Sequence, residues 1–198
     1  PIPEVIRGIN AFALGVKYVN PEAKVHVVWS NTWYDPATEK EAAISLLDIG
    51  ADVIAQHQDS PAPQQAAQSY GAYSIGYNSD MEAFAPKAYL GAPVWNWGPY
   101  YEKVVRDVMN GTWKSEQYWG GMADGVVDIV VSDLVPESVK NLVSVFKEAI
   151  IEGKFHPFTG PIYDQEGNLR VPAGEVLSDG ELLEMDWFVD NVVGTIPR

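Results

Sequence analysis

Four short apolar runs in this sequence are each followed by polar or aromatic residues that a sheet interior would not select. The run ending at Trp29 leads into Ser30-Asn31-Thr32-Trp33-Tyr34-Asp35, and Val53-Ile54-Ala55 leads into Gln56-His57-Gln58-Asp59-Ser60. Tyr73 to Tyr77 is followed by Asn78-Ser79-Asp80, and a fourth run from Val94 carries Trp95-Asn96-Trp97. If the runs are parallel strands, their carboxyl ends form the edge where open α/β sheets bind ligands. Trp33, His57, Asp59, Asn78, Asp80, Trp95, Asn96 and Trp97 are therefore the candidate ligand contacts. Each also has a purely structural reading. Trp33 could cover the sheet end, Asp59-Ser60 could cap the following helix and Asp80 could close a turn. Trp95 and Trp97, two apart, would share one face of a strand and serve core or ligand equally well.

Catalytic readings find less support. The three histidines, His26, His57 and His156, lack the spacing of a metal-binding pair. His57 and Asp59 could be pictured as a base and its orienting carboxylate, but no activated nucleophile motif accompanies them. No glycine-rich phosphate loop precedes a helix. We expect no catalytic dyad, no metal and no cofactor. There is no cysteine in the chain, which removes disulfides and thiol chemistry together. The formal net charge of −14, with 13 Lys and Arg, disfavours nucleic acid as a partner. No apolar run approaches the roughly 20 residues of a membrane-spanning helix.

The elements that would position these residues follow from periodicity. Val5, Ile6, Ile9, Phe12, Ala13, Val16 and Val19 mark an amphipathic helix opened by Pro3. Lys24 to Trp29 is β-branched and reads as a strand, with His26 in the core or hydrogen-bonded. Glu39 to Ile49 is helical and stops at Gly50. A strand at 53–55, a helix at 64–70 ended by Gly71, and a strand at 73–77 complete an alternation that implies a parallel sheet covered on both faces. Later come a helix over about 99–110, an extended glycine-rich stretch over 112–131, and a helix over 136–151. A hairpin turns at Glu166-Gly167, and Ser178 caps a last helix running through Leu182, Leu183 and Trp187. The chain opens on Pro1 and on a helix with no strand before it, so we expect an N-terminal part of the protein to lie outside this sequence.

At the strand ends the sequence resembles the basic membrane protein family, the substrate-binding lipoproteins related to the purine nucleoside receptor of spirochaetes. The resemblance is carried by Ile2-Pro3-Glu4-Val5-Ile6-Arg7-Gly8, Gly50-Ala51-Asp52-Val53-Ile54 and Ile75-Gly76-Tyr77-Asn78-Ser79-Asp80. The segments Val94-Trp95-Asn96-Trp97-Gly98-Pro99-Tyr100-Tyr101, Tyr118-Trp119-Gly120-Gly121-Met122 and Met185-Asp186-Trp187-Phe188-Val189 are similar to a proteobacterial branch of it. The resemblance implies an α/β fold of the type I periplasmic-binding-protein (Venus flytrap) class, with a parallel sheet flanked by helices and mainly the second lobe present. Residues 1–94 and 133–198 would form that lobe. Residues 95–132 would cross the hinge and pack a helix on the first lobe, leaving apolar surface exposed around Trp97 to Val108.

The same resemblance implies a receptor for an ABC importer, whose partners are a purine base or nucleoside and the transmembrane permease subunits. Its location would be periplasmic or at the cell surface, and a lipid anchor, which would lie outside this sequence, is left open. Trp33 stands where family members place a stacking phenylalanine, and Asp80 keeps the second acid of a family motif. Asn78 replaces a common aspartate, Asp59 falls in place of a glycine-rich ligand loop, and Asn96 stands near a family lysine. These departures imply a free base rather than a ribosylated one. A planar heteroaromatic ring gains from stacking, and Asp and Asn supply what an amino-purine edge requires. Two alternatives stand beside this reading. One is the ligand-sensing domain of a regulator, since the fold is shared. The other is a nucleoside or sugar hydrolase acting through Asp59, Asp80 and His57.

Overall fold

Proline is tolerated at the start of a helix because its missing N–H has no helical partner there. Helix α1 accordingly begins at the expected proline and spans Pro3–Val19. The computed structural model describes residues 1–197. They gather into two compact units, one of 1–31 with the segment from 155 onward, the other of 32–154.

In the first unit α1 turns Ile6, Asn10 and Ala13 inward. Ile6 and Ala13 pack with Phe158, Leu182, Met185, Phe188 and Val189. Asn10 is fully buried and bonded at both ends of its amide: Nδ2 donates to the Trp187 carbonyl at 2.8 Å and Oδ1 accepts from the Val189 N–H at 3.0 Å. Buried polar groups persist only when satisfied in this way. Strand β1 is just Val25–His26 and pairs in parallel with β8, Val192–Val193. The expected strand over Lys24 to Trp29 is thus shorter and belongs to a two-stranded sheet of its own. His26 is exposed rather than in the core. Strands β6 (Ile162–Tyr163) and β7 (Leu169–Val171) form the expected hairpin. Gly167 takes φ 82° in its turn, a region open to glycine. Ser178 caps helix α6 through a capping box with Glu181, as its sequence suggests. That helix is only Asp179–Leu183, so Trp187 lies beyond it, its ring under the Arg170 guanidinium at 4.7 Å.

The second unit is the α/β body. Its helices are α2 (Pro36–Asp48), α3 (Ala62–Tyr70), α4 (Gly98–Met109) and α5 (Glu137–Ile151). Its strands are β2 (Val53–Ala55), β3 (Tyr73–Ile75), β4 (Tyr89–Trp95) and β5 (Val127–Val131). They form one sheet in the order β2-β3-β4-β5. The first three run parallel, and β5 returns antiparallel to β4. Of the stretch 112–131 expected to be extended, only β5 is a strand. Ala43 and Leu47 of α2, Ile54 of β2, and Ala66 and Ala67 of α3 form one small core; Met81, Tyr89 and Ala92 form another. Gly91 allows β5 to approach closely, since a Cβ there would stand 2.3 Å from the Val130 carbonyl oxygen. Helix α4 buries no residue. Trp97, Tyr101, Val105 and Val108 are between 41% and 60% exposed, so the apolar surface expected around 97–108 is present.

Candidate functional site

Parallel β2, β3 and β4 end on one edge of the sheet, and the segments after them carry most of the candidate residues. Trp33 reaches this edge by another route. It does not extend a strand of the same sheet; the loop 30–35 is tied to the loop after β2 by the Asp59 N–H, which donates to the Trp33 carbonyl at 2.9 Å. Asn31 turns that loop at φ 54°, a conformation asparagine tolerates better than most side chains.

Three rings then form a row. The Trp33 and His57 centroids lie 6.1 Å apart, and those of His57 and Tyr77 lie 4.2 Å apart. The Tyr77 hydroxyl is hydrogen-bonded to His57 Nε2 at 2.8 Å. Trp33 remains 51% exposed, with ring surface left for a partner. Tyr77 is not among the candidates expected from the sequence, where it only closes a strand. A tyrosine closing an apolar run next to Asn-Ser-Asp was the signal available.

Asn78 sits at φ 59°, and its carbonyl accepts weakly from the Trp95 N–H at 3.4 Å, joining the β3 end to the β4 end. Trp95 and Trp97 stack at 5.2 Å with 20° between their planes. They do not share a strand face, because β4 stops at Trp95 and Trp97 is already the helical N-cap of α4. Gly98 and Pro99 start the helix and fold the second indole back onto the first. Tyr101 extends the stack, 6.1 Å from Trp97 and 16° off parallel.

The polar candidates divide. Asp59 is exposed, and it does not cap α3, whose N-cap is Pro61. Asp80 does close a turn: Oδ1 accepts from the Glu82 N–H at 3.0 Å, at the head of a 3₁₀ turn over 82–84. It also lies near buried Tyr89, whose phenol is pushed above its ordinary range by burial and, secondarily, by the Asp80 charge. Asn96 uses Nδ2 to hold the Gly125 carbonyl at 3.1 Å, securing the loop before β5. Trp33, His57, Asp59 and Tyr77 thus form one group, and Asn78, Trp95, Asn96 and Trp97 a second at the neighbouring strand ends.

Behind the first group lies a buried carboxylate that is not among the sequence candidates. Glu39 of α2 is 1% exposed. Its Oε1 accepts from the Asp35 N–H at 2.8 Å and the Thr32 hydroxyl at 3.2 Å, while Oε2 accepts from the Ser60 hydroxyl. Asp35 itself caps α2 by accepting from Ala37 and Thr38 N–H, both at 3.2 Å. The spacing Asp35-x-x-x-Glu39, one residue longer than a capping box, was a usable clue.

The arrangement offers aromatic faces, a hydrogen-bonded imidazole and exposed carboxylate and amide groups. Among the described residues, no group of three or more His, Cys, Asp or Glu is placed to hold a metal ion. The family described as Bmp, ABC transporter substrate-binding protein PnrA-like, matches residues 1–159. A purine-binding protein of Brucella abortus (strain 2308) is 43% identical over all of this chain and 57% of its own length. A Haloferax volcanii protein named for glucose binding in an ABC transporter is 40% identical over the whole chain and 48% of its own length. The chain thus spans about half the length of the curated relatives it matches. A solute-binding protein of an ABC transporter from Conexibacter woesei superposes with a TM-score of 0.58 at 23% identity, over 72% of this chain and 49% of that one, a likeness of fold. The fold is that of the type I periplasmic binding proteins, and the chain belongs to the Bmp family of PnrA-like ABC transporter substrate-binding proteins.

Proposed function

We propose that the protein is the solute receptor of an ABC importer and that it binds a purine, a free base in preference to a nucleoside, at the carboxyl edge of β2, β3 and β4. The observation that carries this reading is the row Trp33, His57, Tyr77 beside the exposed carboxylate of Asp59. A half-exposed indole offers a face for a heteroaromatic ring. Neighbouring Asp, Asn and His groups offer acceptors and donors for its edge. The Brucella abortus relative named for purine binding, identical at 43% of positions, supports the same class. In this reading Trp33, His57, Asp59, Asn78, Asp80, Trp95, Asn96 and Trp97 contact the ligand, and Tyr77 joins them.

The role is binding without turnover. The complete protein works outside the cytoplasm, periplasmic or at the cell surface, and hands its ligand to permease subunits. The exposed face of α4 supports the further proposal that 95–132 crosses to a lobe outside this sequence, since large apolar patches mark surfaces that meet a partner.

A second reading rests on the Haloferax volcanii relative, identical at 40% of positions and named for glucose binding. Aromatic faces also pack on sugar rings, and carboxylates and amides also bind hydroxyls. Calorimetric titration of the full-length protein with adenine, adenosine, guanosine and glucose separates the two. Binding of adenine without product supports the first reading. Binding of glucose alone replaces it.

A further inference from the structure

We propose that Glu39 is the positioning residue of the ligand edge, a buried carboxylate that clasps the Trp33 loop and the His57–Asp59 loop into one binding-competent arrangement. The proposal rests on the reading of that edge as the ligand site. Three donors converge on the one side chain, two from the loop 30–35 (the Thr32 hydroxyl and the Asp35 N–H) and one, the Ser60 hydroxyl, from the loop after β2. Both loops are short and irregular and contain no ladder of their own. Between them the Asp59 N–H also donates to the Trp33 carbonyl.

A carboxylate is chosen over an amide by the donors present. All three groups donate, and an ionised carboxyl is acceptor-only, with room for about four such bonds. The bonds that hold it come from two hydroxyls and one backbone N–H. Its burial is offset by these three hydrogen bonds, since a buried polar group is tolerated when it is bonded. The acid is rooted in α2, whose Ala43 and Leu47 are packed in the core, so the clasp is fixed to the rigid part of the unit. Glu39 touches neither Trp33 nor His57 through a hydrogen bond. It acts on them through the loops that carry them.

Loss of the acid frees the loops to separate, and apparent affinity then falls by the fraction of molecules still clasped. If that fraction drops to about a tenth, the dissociation constant rises about tenfold. The test uses the full-length protein as wild type, Glu39→Ala, Glu39→Gln and Ser60→Ala. Hydrogen exchange at the Asp59 amide is followed without ligand, and adenine is titrated by calorimetry. We expect Glu39→Ala to accelerate exchange at Asp59 about tenfold or more while the core amides of Ile54 and Ala67 hold their rates, and to weaken adenine binding about tenfold. Glu39→Gln, which keeps one carbonyl acceptor, should recover part of both effects. Ser60→Ala, which cuts only the second loop, should show the exchange effect even if Glu39→Ala does not fold. Unchanged exchange at Asp59 in every variant, or acceleration spread evenly over the unit, overturns the proposal. So does faster exchange with unaltered adenine affinity. A wild type that binds no adenine defeats the purine reading alone, since the exchange arm still decides the role of Glu39.

Discussion

Replacing Trp33 by alanine separates the part of the site that holds the loop from the part that meets the ligand. The loop is fixed through main chain and neighbours, by the Asp59 N–H on the Trp33 carbonyl and by Glu39 on Thr32 and Asp35. None of these bonds uses the indole. The residue is 51% exposed and its ring centroid stands 6.1 Å from that of His57. Full burial of a large apolar side chain is worth about 1.5–3 kcal/mol, so a half-buried ring should cost about 1–1.5 kcal/mol of stability when removed. The free face is what a purine would cover, and base–aromatic stacking is worth roughly 1–3 kcal/mol. Adenine affinity should therefore fall by a factor of about 5 to 150. Trp33→Phe, which keeps a smaller stacking face, should lose less. Urea denaturation measures the first quantity and titration calorimetry the second, both on full-length protein. If Trp33→Ala binds adenine as tightly as wild type, stacking at Trp33 is refuted.

Other predictions concern the frame. Asp164 is nearly fully buried and accepts from the Glu166 N–H at 3.1 Å and the Asn168 N–H at 2.8 Å, so Asp164→Ala strands two turn donors. It should lower unfolding free energy by about 1–3 kcal/mol in denaturant titration. Gly91→Ala drives a methyl against the Val130 carbonyl, 2.3 Å from where Cβ would stand, and should lower the thermal midpoint through a loss of about 1–3 kcal/mol. The Lys147 ammonium 2.5 Å from Asp128 holds that carboxyl below its ordinary range. Because the folded-state value is depressed, the pair's contribution is complete above the unfolded carboxylate range near pH 4 and fades as pH falls through the folded one. Asp128 is 47% exposed, so the effect is at most about 0.5 kcal/mol. Asp128→Asn should flatten that part of the stability-against-pH curve between about pH 5 and 2; an unchanged curve refutes the pairing.

Local signals made most of the elements legible. Apolar spacings of three and four gave α1 with its proline start. Gly50, Gly71, Gly111 and Gly153 end their helices at positive φ, a role few other residues fill. What escaped notice depended on distant partners. Val25–His26 pairs with Val192–Val193 far along the chain, and nothing near residue 25 marks that strand as separate from the others. Trp187 carries apolar spacing that continues α6, but its carbonyl is taken by Asn10 and its ring by Arg170, and the helix ends at Leu183. At the site, strand-end logic located the edge and the aromatic candidates. Glu39 was not legible, because a glutamate near a helix start reads as a solvated residue until the loops that bury it are in place.

The ligand itself can be identified by purifying the full-length protein without denaturation, releasing what it carries for mass spectrometry, and titrating back the compound found. A purine receptor should yield a purine, with adenine rebinding at one per protein and no product accumulating. Recovery of a sugar that rebinds while adenine, adenosine and guanosine do not would contradict the purine reading.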